Sequence, residues 1–217
     1  MELSASVAAQ IRTYSSKEER ADTAIHLLGV VFAVAAAIWL PVHVGGGVVV
    51  AAVSVYCAGL LAMILASAAY NLAPSGGLKD VLRRFDHAAI FVMIAATYTP
   101  FAVARLGAPV GPVILALVWL SAAGGVALKM LFPRRFEKIG LVLYLAMGWL
   151  IVTAIIPLSA SVAAVDFWLL IAGGVVYSAG VAFYVIERIP YHKAIWHGFV
   201  LTAALLHFAA IALEFAF

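Results

Sequence analysis

Three pairs of polar residues in this chain lie four positions apart: Asp22 and His26, Ser67 and Asn71, and Lys193 and His197. Residues at that spacing share one face of a helix. Asp86 and His87 add two titratable groups at the start of another apolar stretch. Inside a membrane, ionisable groups point into the bundle, find partners, and mark places where ions, protons or substrates are handled. If the three faces converge, they form a polar cavity open toward one side. Taken singly, Asp22 and Lys193 would be satisfied as interfacial residues reaching the headgroups, and His192 as an exposed loop residue. The set, with Asp86 and His197 drawn inside their spans, points to a site.

The elements that must position these groups are membrane helices. Of 217 residues, 66% are hydrophobic and 11% charged, against about half and about a quarter in soluble domains. A soluble fold of this size could not hide that surplus, so it must face lipid. Seven stretches reach the roughly 20 apolar residues a spanning helix needs: 22–44, 46–71, 86–104, 108–130, 138–157, 165–186 and 195–217. Turn or charge signals separate them: VGGG, APSGGLKDVLRR, LGAP, FPRRFEK and ERIPYHK. The runs are continuous rather than alternating, which disfavours a β-barrel. The expected fold is therefore all-α, with a polar segment over 1–21 and a seven-helix domain over 22–217. Within the first segment, LSASVAAQIR has the pattern of a short amphipathic surface helix.

Lys and Arg counts orient the chain. Arg12, Lys17 and Arg20 precede the first span. Lys79, Arg83 and Arg84 follow the second, Lys129, Arg134, Arg135 and Lys138 the fourth, and Arg188 and Lys193 the sixth. Only Arg105 falls on the other side. This predicts a cytoplasmic amino terminus, an outside carboxyl terminus and a multi-pass protein of the cell (inner) membrane. The net charge of +3 is then positive-inside bias and not a nucleic-acid surface. No short apolar core with a cleavage site opens the chain, so no cleavable signal is expected. The single cysteine, Cys57, excludes an intrachain disulfide and a multi-cysteine zinc site.

Other features have plain structural readings. His43 falls in an outer loop, in reach of water. His207 lies ten residues beyond His197, about 15 Å deeper by helical rise, where it would hydrogen-bond within the bundle. The glycines at 124–125 and 173–174 would let helices approach closely. Pro100 and Pro157 mark kinks or span ends.

The polar residues also carry a resemblance. From about residue 18 onward the chain resembles the hemolysin III branch of the progestin and adipoQ receptor superfamily. The family's first motif, Glu-x-x-Asn-x-x-x-His, reads EERADTAIH here, with Glu19 and His26 matching and Asp22 in place of Asn. The second, Ser-x-x-x-His, reads SAAYN, so Ser67 matches and Asn71 replaces His. Asp86 follows in RRFDHAAIFVMIAATYTPF, whose DHAAI and TYTPF look typical of the bacterial branch. The last motif places two histidines four apart and a third ten residues later. His197 and His207 keep that frame, and Lys193 takes the first place. The resemblance implies seven spans and a zinc ion held by three histidines, two of whose positions are Asn71 and Lys193 here. Ser67 and Asp86 correspond to positions that bind water or back the ligands. It also implies hydrolysis of ceramide-like lipid amides.

Two states of the site stay open. With zinc, His197 would be one ligand, and His192, His26 or Asp86 would replace the missing ones, His192 only if the last helix begins after it. Catalytic zinc takes three protein ligands and an open position for water; Asp86 would orient that water and Ser67 would stabilise developing charge. Without metal, the Lys193 ammonium would pair with Asp86 and hydrogen-bond Asn71. Three functional classes follow: a lipid amide or ester hydrolase built on His197, Asp86 and Ser67; a non-catalytic lipid sensor; and a channel or transporter. The polar groups cluster in one leaflet and no inverted repeat is apparent, which disfavours the third. The expected partner is membrane lipid, with no nucleic acid. Seven spans describe a resident membrane protein and not the secreted toxin that the family's name suggests.

Overall fold

The computed structural model describes residues 14–217. The segment LSASVAAQIR lies outside the described residues. Seven helices are long and apolar enough to span a membrane: α1 Ser16–His43, α2 Val48–Leu72, α3 Gly77–Ala104, α4 Val110–Leu131, α5 Glu137–Ser161, α6 Ala164–Val185 and α7 His192–Ala216. No strand occurs among the described residues. The large side chains left on the outside are lipid-compatible: Leu28, Val31 and Ile38 of α1, Leu120 of α4 and Ile156 of α5 are each more than 60% exposed. This chain is a multi-pass membrane protein.

Several helices begin earlier than their apolar runs, because backbone hydrogen bonding continues into polar sequence at a solvated end. α1 starts at Ser16 behind a capping box: the Glu18 amide donates to Ser15 Oγ, and the Ser15 amide donates to Glu18 Oε2 at 2.9 Å. Glu18 and Glu19 in the first turn complement the helix dipole. α3 starts at Gly77, nine residues ahead of the apolar run, so Lys79, Arg83 and Arg84 stand on a helix and not in a loop. α7 starts at His192. We call the end of the bundle holding the starts of α1, α3, α5 and α7 the basic end.

α3 is the most buried span. It packs against α2 and α4, α1 packs against α2 and α7, and α6 packs against α7. Small residues make these seams. A Cβ on Gly59 of α2 would lie 2.5 Å from Ala96 Cβ of α3. One on Gly125 of α4 would lie 2.4 Å from the Phe91 ring, and one on Gly180 of α6 would lie 2.7 Å from Phe199 Cβ of α7. Gly124, also expected at a seam, meets nothing within 4 Å.

α5 is broken. It is α-helical over Glu137–Gly148, turns 3-10 over Trp149–Ala154 and resumes over Ile155–Ser161. Tyr98 of α3 satisfies the groups this break exposes. Its hydroxyl lies 2.9 and 2.8 Å from the Met147 and Gly148 carbonyls, and accepts from the Ile151 amide at 2.9 Å. Irregular backbone at membrane depth needs such partners.

Candidate functional site

Asp22 and His26 of α1, Ser67 and Asn71 of α2 and His197 of α7 lie near one another at the basic end, without Lys193. Asp22 Oδ1 lies 2.6 Å from His197 Nδ1. His26 is 5% exposed; its Nδ1 donates to the Asp22 carbonyl at 2.8 Å, and its Nε2 lies 3.4 Å from Ser67 Oγ. A carbonyl can only accept, so His26 carries its proton on Nδ1 and, when neutral, presents Nε2 as an acceptor to the Ser67 hydroxyl. The same reasoning puts a proton on His197 Nδ1, facing the Asp22 carboxylate. The two imidazoles meet edge to face, centroids 4.3 Å apart.

Asp22, His26 and His197 each offer one ligand atom, and these three atoms all lie within 4.8 Å of one another. They are close enough to hold a metal ion. Two imidazoles and one carboxylate are a donor set suited to a three-ligand zinc site with an open position. His26 and His197 also line a cavity that runs between the helices toward His207. Ser67, Asp86 and His87 share its wall, and the rest is mostly aliphatic and aromatic. Asp86 has the Ser67 hydroxyl and the His197 ring among its polar neighbours.

The remaining expected site residues lie around this group. Asn71 donates to the Ser67 carbonyl at 3.0 Å and lies 3.4 Å from Ser67 Oγ, holding the serine from one turn away. Lys193 is exposed, its ammonium 4.0 Å from the centroid of Tyr14. The expected pairing of Lys193 with Asp86 is thus replaced by a contact with the segment ahead of α1. His192 is not an exposed loop residue: it is 5% exposed, near Tyr14 Oη at 3.1 Å and the Phe183 carbonyl at 3.3 Å. Because α7 begins at His192 itself, its ring stands apart from the Asp22–His26–His197 group. His207 donates to the Leu170 carbonyl at 3.1 Å and fills the space over Gly173. His43 ends α1, exposed and stacked on Trp39.

Three sets of residues were missed in the sequence. The first is the aromatic wall of the cavity. Its α6 positions, Gly174, Tyr177, Ser178, Val181 and Tyr184, recur at helical spacing and could have been found that way. Trp149 Nε1 donates to Ser178 Oγ at 3.0 Å, bridging α5 and α6. The second is an ion cluster around Glu137, which lines the cavity: Arg83 at 2.9 Å, Lys129 at 3.0 Å and His87 at 3.4 Å surround its carboxylate. Lys129, counted as a loop cation, is only 5% exposed. The third lies at the opposite end, away from the leaflet in which the polar groups were expected to cluster. There Arg105 pairs with Glu214, which also accepts from the Ala163 amide at 3.2 Å, and buried Asp166 adjoins Glu214. No local pattern joins residues 105, 166 and 214.

Comparisons with known proteins place the chain in a family. The family model described as "Haemolysin-III related" matches residues 14–208. The chain is 36% identical over 201 residues to the "Hemolysin-3 homolog" of Bacillus subtilis (strain 168), covering 91% of this chain and 94% of that protein. It is 37% identical over 198 residues to "Hemolysin-3" of Bacillus cereus, covering 90% of each. It is 30% identical over 165 residues to the human "Monocyte to macrophage differentiation factor", covering 72% of this chain and 67% of that protein. No solved structure matches.

Proposed function

Since the chain belongs to the haemolysin III-related family, we propose that it is a membrane-embedded hydrolase of a lipid amide or ester, with zinc held by Asp22, His26 and His197. One observation carries this reading: two members of a three-residue donor group, His26 and His197, line the same largely apolar cavity as Ser67 and Asp86. In this reading the basic end faces the cytoplasm, as the Lys and Arg distribution suggests.

Zinc in such a site supplies acidity, lowering the pKa of water to about 7 in good cases. The chain's own residues do the rest. Asp86 accepts a proton from the attacking water and returns it to the leaving group. The Ser67 hydroxyl, held by Asn71, donates to the oxygen on which negative charge develops. The 2.6 Å contact between Asp22 and His197 keeps these two donor side chains beside each other. The aliphatic and aromatic walls hold an acyl chain and keep bulk water away.

The test is metal content and fatty-acid release from a short-chain ceramide-like amide, on protein purified without added metal or chelator. About one zinc per chain with turnover, both lost in His197→Ala, is the expected result. Wild-type protein without zinc would sink the metal reading. Zinc without turnover would sink the hydrolase.

A second reading, a non-catalytic lipid sensor, is favoured by the direct Asp22–His197 bond, in which each side chain already has the other as its polar partner. Saturable lipid binding with no release of fatty acid would select it.

A further inference from the structure

A second cleft lies at the basic end, outside the acyl cavity. Its walls come from the end of α2 (Tyr70), the start of α3 (Lys79, Asp80 and Arg83) and the α4–α5 turn (Arg134). Three cations thus face one carboxylate. Positive-inside bias accounts for the sign of these residues but not for their gathering in one cleft. Arg134 reaches it from a turn 54 residues along the chain from Asp80, with which it pairs. It does so from φ 65°, a conformation uncommon outside glycine.

The cations keep hydrogens to give. Lys79 Nζ donates to the Ala73 carbonyl at 2.8 Å and lies 3.4 Å from that of Asn71, leaving a third hydrogen. Arg83 and Arg134 each carry five N–H groups, and each binds one carboxylate. The start of α3 adds to this field. Gly76, also in the cleft wall, precedes the helix at φ 148° and has no side chain to cap the first amides. All these residues lie in turns or in helical turns ahead of the apolar runs, where the headgroup phosphates of a bilayer would meet them.

We propose that the cleft of Lys79, Arg83 and Arg134 binds the phosphate of an anionic membrane lipid. Arg83 couples this site to the first cavity. The guanidinium that faces the cleft is also 2.9 Å from Glu137, which lines the acyl cavity beside His87. A headgroup that draws on Arg83 alters the charge held against that wall. The assignment is independent of hydrolysis.

The experiment is native mass spectrometry of the full chain in neutral detergent, with equal amounts of phosphatidylglycerol and phosphatidylcholine. Wild-type protein retains phosphatidylglycerol preferentially. Each cation removed near a membrane surface is worth about 1 kcal/mol, about five-fold. Lys79→Gln with Arg134→Gln therefore lowers phosphatidylglycerol retention by about 25-fold and leaves phosphatidylcholine unchanged. Asp80→Asn raises it, a gain that a folding defect would not produce. Arg135→Gln with Lys138→Gln removes equal charge from that turn and the start of α5 and keeps the preference. Equal retention of both lipids by wild-type protein overturns the proposal, as does an equal loss in the control pair. Displacement of phosphatidylglycerol by equimolar inorganic phosphate would show a site for the bare ion and overturn the lipid assignment.

Discussion

Asp22 Oδ1 and His197 Nδ1 lie 2.6 Å apart, a bond that joins α1 to α7 across 175 residues of chain. Both side chains are 14% exposed, so water replaces neither partner well. Asp22→Ala should lower unfolding stability in detergent by about 2–3 kcal/mol, toward the range for breaking a buried pair. Adding His197→Ala should cost much less than it does alone, because its partner is already gone. Thermal or denaturant unfolding of the double-mutant cycle checks this. Effects that add within about 0.5 kcal/mol would mean the bond contributes nothing.

Metal analysis separates the residues of the donor group from those merely near it. Asp22→Ala and His26→Ala should each lower zinc content as His197→Ala does, because a catalytic site has only three protein ligands to lose. His192→Ala should keep its zinc, since that ring stands near Tyr14 and the Phe183 carbonyl. Loss of zinc from His192→Ala to the same degree would place the site elsewhere.

The glycine seams make a graded prediction. Gly125→Ala forces a Cβ to 2.4 Å from the Phe91 ring, and Gly173→Ala forces one to 2.3 Å from the His207 ring. Each should destabilise by about 1–3 kcal/mol, the usual range for overpacking. Gly124→Ala meets nothing within 4 Å and should be neutral or slightly stabilising. Melting temperatures of the three variants in one detergent decide it. Equal effects at Gly124 and Gly125 would contradict the packing described.

Glu137 is the one carboxylate that Arg83, Lys129 and His87 share. Glu137→Ala leaves Lys129 buried without its counter-charge, at a cost of about 3 kcal/mol or more. Replacing that lysine as well, with Lys129→Met, should recover over half of the loss, since an uncharged chain of similar length occupies the same space. Unfolding of the single and double variants is the measurement. A double variant less stable than Glu137→Ala alone would show that Lys129 stabilises by some other contact.

Hydropathy and charge along the chain were enough to read seven spans, because lipid demands about 20 apolar residues per crossing and no soluble partner is needed to explain them. Helix ends were less legible. α3 begins nine residues ahead of its apolar segment, since at a solvated end backbone hydrogen bonds form regardless of hydropathy. The Ser15–Glu18 capping box was a readable signal for the start of α1. Of the site, the four-residue spacings of Asp22 with His26 and Ser67 with Asn71 were informative, because that spacing alone places two side chains on one face.

By itself, then, the sequence determined the class of the protein, its number of crossings and the three polar faces, all consequences of local periodicity and transfer energy. Tertiary structure decided which groups meet. Lys193 and His197 share a helical spacing, yet the lysine at the helix's first turn reaches Tyr14 while the histidine one turn deeper reaches Asp22. Lys129 is buried beside Glu137, which folds back to it, and Asp166 of α6 meets Glu214 only because the far end of α7 packs there. Such pairings depend on the angle and depth at which helices cross. Packing over the whole bundle sets these, and no stretch of sequence encodes them alone.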